Sequence, residues 1–235
     1  MSCATPVDAT APRTVLAELG PVAQLRAGRL ARRLPQLYVG LFLYGVSLAL
    51  MVRGALGLAP WDVLHSGFIR HVPMTLGQAV VVFSFVVLVL WIPLREMPGL
   101  GTISNALVVG FSADATLAVL TQPDALAARI ALMVGGVALC GLASALYIGA
   151  QLGRGPRDGL MTGLSRRTGL SLRLVRTGLE VAVVVIGLLL GGVLGVGTVV
   201  YALAIGPLTQ LMLPWLTVEL RAVDLMSPQP ESRTR

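Results

Sequence analysis

Residues 57–67 read GLAPWDVLHSG, and residues 153–163 read GRGPRDGLMTG. The two stretches are offset by 153 − 57 = 96. Held at 96 without a gap, the match runs outward in both directions. Upstream it pairs Gly40 with Gly136, Gly45 with Gly141 and Ala49 with Ala145. Inside the motif it pairs Gly57/Gly153, Pro60/Pro156, Asp62/Asp158, Leu64/Leu160 and Gly67/Gly163. Downstream it reaches Gly99/Gly195, Gly101/Gly197, Thr102/Thr198, Ala106/Ala202 and Gly110/Gly206. Apolar matches carry little weight in an apolar chain. Matched Gly, Pro, Asp and Thr in one register do carry weight, and they predict an internal repeat. Each half reads as a long apolar stretch, a G-x-x-P-x-D loop, a short segment, a second apolar stretch, a G-x-G-T turn and a third.

The solvent for such a chain is lipid. Its 235 residues are 55% hydrophobic and only 12% charged, with mean hydropathy +0.83. A soluble domain carries roughly 25% charged residues, so this chain is unable to cover a water-facing surface. The net charge is +7, and all 18 basic residues are arginines. In this setting arginines orient helices from cytoplasmic loops, and no nucleic-acid partner is expected. Cys3 and Cys140 show neither C-x-x-C nor metal-ligand spacing, which argues against disulfide, metal or redox chemistry.

About 20 apolar residues are needed to cross a bilayer. Six stretches approach this: 35–55, 75–94, 100–120, 130–152, 174–194 and 196–217. Trp91 and Trp215 stand where interfacial anchors belong. The segment from Pro60 to His71 has 12 residues. As a helix it is about 18 Å long, too short for a core of about 30 Å. The expected fold is therefore all-α: about six transmembrane helices plus two short helices, re-entrant or interfacial. The transmembrane domain, 35–217, consists of repeat 1 (36–120) and repeat 2 (130–217). It follows a disordered arm without a signal peptide, within residues 1–34, whose segment 22–34 carries Arg26, Arg29, Arg32 and Arg33 for the headgroups. A polar tail, 218–235, ends the chain.

Three spans per half would invert the second half relative to the first, and equivalent loops would then differ in arginine content. They do differ. Arg70 is alone in the loop after the first span, whereas the matching loop holds Arg154, Arg157, Arg166, Arg167 and Arg173. Four arginines from Arg26 to Arg33 precede the first span, against Arg129 before the fourth. With both termini cytoplasmic, the Arg-rich regions fall on one side. The rival topology is a parallel 4+4 arrangement, which needs a very short polar span in the second half.

The repeated Asp62 and Asp158, with Pro60 and Pro156, are the leading candidates for a solute or cation path, where two short helices meet near the pseudo-twofold axis. The competing reading is structural: Pro and Asp are ordinary first-turn residues. Asp114, within the third span, has Gln210 as its counterpart, a second candidate pair in lipid or an interfacial one. Arg176 and Glu180 share a helix face and neutralise each other. Gly187, Gly191 and Gly195 have the spacing of a close-packing helix face. In the G-x-G-T turns, Gly permits the turn and Thr caps the next helix. Asn105 aligns with Tyr201, and one of the two is suited to hydrogen bonding across helices. His65 follows Asp62 by three residues, but Met161 replaces it in the second half and no third ligand is nearby, so no metal is expected. No nucleophile–base set, phosphate loop or cofactor fingerprint is present, and no enzyme activity or cofactor is expected.

GLAPWDVLHSG, GLGTISNALVVG, GRGPRDGLMTG and GVGTVVYALAIG resemble the repeated motifs of the YczE/YyaS/YitT group of bacterial integral membrane proteins, the YczE branch most closely. The resemblance covers about residues 36–217. It implies a multi-pass bacterial membrane protein and supplies neither a substrate nor a catalytic residue. The expected role is a small-solute transporter or channel in the cell membrane, with the lipid bilayer and a small solute as partners. The alternative is a non-transporting accessory or regulatory membrane protein.

Overall fold

The structure, a computed structural model, describes residues 20–220; most of the expected arm, with Cys3, and residues 221–235 of the expected tail lie outside the described residues. The described residues form helices joined by short turns. They are α1 (Pro21–Arg26), α2 (Leu30–Gly54), α3 (Pro60–Phe68), α4 (Leu76–Leu94), α5 (Leu100–Val119), α6 (Leu126–Gly149), α7 (Pro156–Thr168), α8 (Leu172–Leu189) and α9 (Val196–Leu216). The starts at Leu30, Pro60, Leu76 and Leu100 are followed, each 96 residues later, by starts at Leu126, Pro156, Leu172 and Val196.

Five helices are long and apolar enough to cross a membrane: α2, α4, α5, α6 and α9. Large apolar side chains face outward from them, among them Val89, Phe111, Leu203 and Leu211. The sixth expected span, 174–194, corresponds to α8. It ends at Leu189 and carries Arg173, Arg176 and Glu180 in its first half, so it falls short of the other five in apolar length. With 9 and 13 residues, α3 and α7 are about 14 and 20 Å long and too short to cross.

Glycines set the helix approaches. A Cβ on Gly40 would lie 2.8 Å from Tyr147 N, and one on Gly54 3.0 Å from Arg129 O. Rising numbers on α2 thus meet falling numbers on α6, and the two helices run antiparallel. Gly136 of α6 faces Ser47 and Met51 of α2 in the same way. Gly45 packs on Val109 and Ser112 of α5, while Gly141 packs on Leu208 of α9. Here α2 runs parallel to α5, because Tyr38 meets Ser104 and Arg53 meets Leu117. Small residues let backbones close on each other where lipid offers no hydrophobic drive.

The turns use the same chemistry twice. Gly57 and Gly153 have φ of +122° and +134°, in the region that favours glycine. A Cβ on Gly57 would also sit 2.8 Å from Gly195. The amide of Gly101 donates to Leu152 O, and that of Gly197 donates to Leu56 O, each at 2.8 Å. Thr102 and Thr198 accept from the amides of Gly99 and Gly195, at 3.1 and 3.3 Å, and so close the starts of α5 and α9.

Two arginines lock the halves together. Arg33 donates from Nε to Ala150 O at 2.8 Å and from NH2 to Gln151 O at 2.7 Å. Arg129 donates from Nε to Gly54 O at 3.0 Å and from NH2 to Ala55 O at 2.8 Å. Each guanidinium thereby satisfies carbonyls at the end of the opposite long helix, groups that helix geometry leaves without partners. Arg33 also holds Gln24 O and Gly28 O, which fastens α1 to the bundle. It is fully buried, so it leaves the headgroup-facing set expected over 22–34; Arg26, Arg29 and Arg32 are exposed.

Candidate functional site

The short helices begin alike. Ala59 and Gly155 precede them in extended backbone, and Pro60 and Pro156 occupy the first helical position, where a missing amide costs nothing. Neither preceding residue supplies a side-chain cap. The two starts meet. The Arg157 guanidinium lies 5.0 Å over the Trp61 ring and 3.8 Å from Asp62 Oδ1. Trp61 and Arg157 are themselves 96 apart, so the contact joins equivalent positions.

Asp62 pairs within its own helix, and Asp158 reaches across to α6. Asp62, 5% exposed, lies 3.1 Å from Nδ1 of the buried His65. Asp158 accepts from Tyr147 Oη at 2.6 Å. Tyr147 stands edge-on to Tyr44, with ring centres 6.2 Å apart. Cys140 packs in the core 3.7 Å from Tyr201 Oη, so Tyr201 finds its neighbour on α6. Asn105 lines a small inner cavity of about 40 Å³ together with Tyr44, Ser84, Tyr147, Arg157 and Asp158. A larger cavity of about 590 Å³ is bordered by Trp91, Arg95, Glu96, Arg154, Asp158 and Thr162, with α1 at its edge. Asp158 belongs to both cavities. Charged groups in the larger one are partly paired, as in Glu96–Arg166 at 3.0 Å.

The second candidate pair sits elsewhere. Asp114 accepts from the amide of Gly77 at 2.8 Å and from the Thr75 hydroxyl, so it holds the start of α4 from a neighbouring helix. Gln210 is exposed on α9. Arg176 and Glu180 form the expected pair at 2.9 Å.

Two expectations need correction. Gly187, Gly191 and Gly195 do not form one helix face. Gly187 lies in α8 against Val63 and Leu64, Gly191 takes φ +82° in the turn, and Gly195 precedes α9. The helix ends before the spacing can repeat. Trp91 is no interfacial anchor either: it is 3% exposed, donates to Pro156 O at 2.9 Å and covers Gly159. Its counterpart pair is Gly187 against Val63, small facing large with the sizes exchanged. Trp215, by contrast, is 85% exposed.

Sequence reasoning missed three site residues: Trp61, Arg157 and Tyr147. Trp61 and Arg157 align with each other, but unlike residues at one register look like noise until they touch. Tyr147 aligns with Met51 and gives no polar signal in the repeat.

Residues 31–214 match the model of a family of unknown function, DUF6198. An uncharacterized protein of Haemophilus influenzae is 39% identical over 177 residues, covering 75% of this chain and 81% of that protein. The uncharacterized membrane protein YczE of Bacillus subtilis is 30% identical over 179 residues, 75% of this chain and 83% of its own. The uncharacterized protein YyaS of the same organism is 26% identical over 183 residues, 75% of this chain and 90% of its own. No solved structure matches.

Proposed function

The chain belongs to the DUF6198 family and to the YczE/YyaS group of membrane proteins, and from the site just described we propose that it is a small-solute transporter or channel built as an inverted 3+3 repeat. The observation that carries the reading is the cluster of Asp62, Arg157 and Asp158, where two short, non-crossing helices meet beside a cavity of about 590 Å³. Ionisable groups within a membrane domain are costly and mark solute paths by default. Broken helices meeting at a repeat interface are the usual scaffold of such a site.

The antiparallel α2 and α6, the common offset of 96 and the reciprocal Gly101–Leu152 and Gly197–Leu56 bonds support the inverted repeat. In this reading α8 is the second of the three crossings of the second half, between α6 and α9, its Arg176–Glu180 pair neutralised within the helix. Both termini lie in the cytoplasm of a cell-membrane protein, and the larger cavity opens to that side.

Two measurements test this. Cysteines introduced near Ser66 and Thr162, at the exposed Arg70 and Arg166, are expected to react with an impermeant maleimide from opposite faces; labelling from the same face would sink the inverted arrangement. Purified protein in proteoliposomes is expected to take up members of a panel of radiolabelled amines, amino acids and carboxylates. The Asp62→Asn, Asp158→Asn double variant should fold normally and lose that uptake. Uptake at the unsubstituted rate by the double variant would remove the aspartates as the site, and an inactive panel would favour an accessory role.

A further inference from the structure

We propose that the site between α3 and α7 takes a small zwitterion, one ammonium and one carboxylate on a short spacer; the inference rests on the transport reading for its setting. The carboxylate end is argued from unpaired donors. The Arg157 side chain is 21% exposed and makes no hydrogen bond to the described residues. Its nearest anionic oxygen, Asp62 Oδ1, stands at 3.8 Å, beyond hydrogen-bond reach. Beneath it, Trp61 is 7% exposed, and its buried indole N–H has no hydrogen-bond partner among the described residues. The other buried tryptophan, Trp91, does have one. Buried donors left unpaired are costly, and a guanidinium fork fits a carboxylate with two parallel bonds. The amide end of α7, a helix of 13 residues, adds a positive dipole end.

The ammonium end is argued from Asp158. Tyr147 fills one of its oxygens, and a carboxylate accepts about four hydrogen bonds. Tyr44 and Tyr147 also line the inner cavity beside Asp158, and aromatic rings are compatible with a neighbouring cation. Charge selects between ligand classes. A plain carboxylate approaching Arg157 would meet Asp62 and Asp158. A plain ammonium would leave the Arg157 and Trp61 donors unpaired. A zwitterion answers both. Asp158 borders both the inner cavity of about 40 Å³ and the larger one of about 590 Å³, so an ammonium held by it can leave a substituent in the larger space.

The test uses the full chain in lipid nanodiscs, with the common amino acids, acetate and methylammonium as separate probes. The readout is the thermal midpoint against probe concentration, since a ligand of the folded state raises it. One or more amino acids are expected to raise the midpoint saturably, with acetate and methylammonium at least about tenfold weaker, the size of one lost charge-assisted bond. Trp61→Phe keeps the ring under Arg157 and removes only the N–H; it should weaken amino-acid binding about tenfold. Asp158→Asn should weaken amino acids and spare acetate. The inference is overturned if no amino acid acts on the unsubstituted protein, if acetate matches them, or if Trp61→Phe and Arg157→Gln both bind as before. Uptake of a different solute alongside a silent amino-acid panel would sink this inference and keep transport. Amino-acid binding without uptake would do the reverse.

Discussion

Helices α4 and α8 begin 96 residues apart and end almost in register, yet they are differently made. The first carries no charged residue, packs along α5 and is pinned to it by Asp114 at Thr75 and Gly77. The second carries Arg173, Arg176 and Glu180, and leans on α3 and α7. Val80 and Ser84 of α4 line the inner cavity; their counterparts are Arg176 and Glu180. One backbone plan therefore carries uncharged residues at the inner cavity on α4 and an ion pair at the matching positions of α8. What the halves share is Gly, Pro and Thr at turns and close approaches. What they do not share is the side-chain chemistry. Backbone geometry tolerates no Cβ at a contact of 2.8 Å, whereas a wall position accepts any side chain that its neighbours can satisfy.

The strongest way to break this comparison is to trade its packing pairs. Gly159→Val would push a side chain into the Trp91 ring and is expected to destabilise the protein by about 3 kcal/mol, read as a lower melting midpoint by detergent size-exclusion chromatography. Adding Trp91→Gly copies the Val63–Gly187 pair of the other half and should recover part of that loss. If the single variant melts like the unsubstituted protein, the size exchange between halves means nothing.

The two arginine clamps come next. Arg33 binds four carbonyls and Arg129 two, so the halves are alike in design but unequal in load. Arg33→Gln is expected to cost about 2–3 kcal/mol and Arg129→Gln about 1–2 kcal/mol. Equal costs would show that the hold on α1 contributes nothing.

A smaller effect is expected at Asp114. Asp114→Asn keeps one oxygen for the start of α4 and should cost about 1 kcal/mol, with uptake of any transported solute unchanged. Lost uptake in a stable variant would move Asp114 back among the site residues. Smallest is Gly178→Ala. Nothing lies within 4 Å of a Cβ placed there, and helix propensity alone should raise stability by up to about 1 kcal/mol. A lower midpoint would mean that α8 uses this glycine in a contact that the described structure does not hold.

The sequence by itself determined the membrane class and the helical composition, because each is written in one dimension. Hydropathy sums along a segment, and Gly, Pro and Thr constrain the backbone where they stand. It also marked Asp62 and Asp158, since both recur at one offset. Only the tertiary structure decided which partners the side chains meet. Asp114 looked like a buried charge in a span, and it proves to hold a neighbouring helix start. Trp91 looked like an anchor, and it covers a glycine 68 residues away. Arg33 and Arg129 looked like topology signals, and each closes the end of the opposite long helix. Arg157 and Trp61 are unlike residues at one aligned position, and only folding lays a guanidinium over the indole. The physical reason is the same in each case. A side chain's partner is set by which helices approach and at what height, and that information lies in contacts between distant segments rather than in any local pattern.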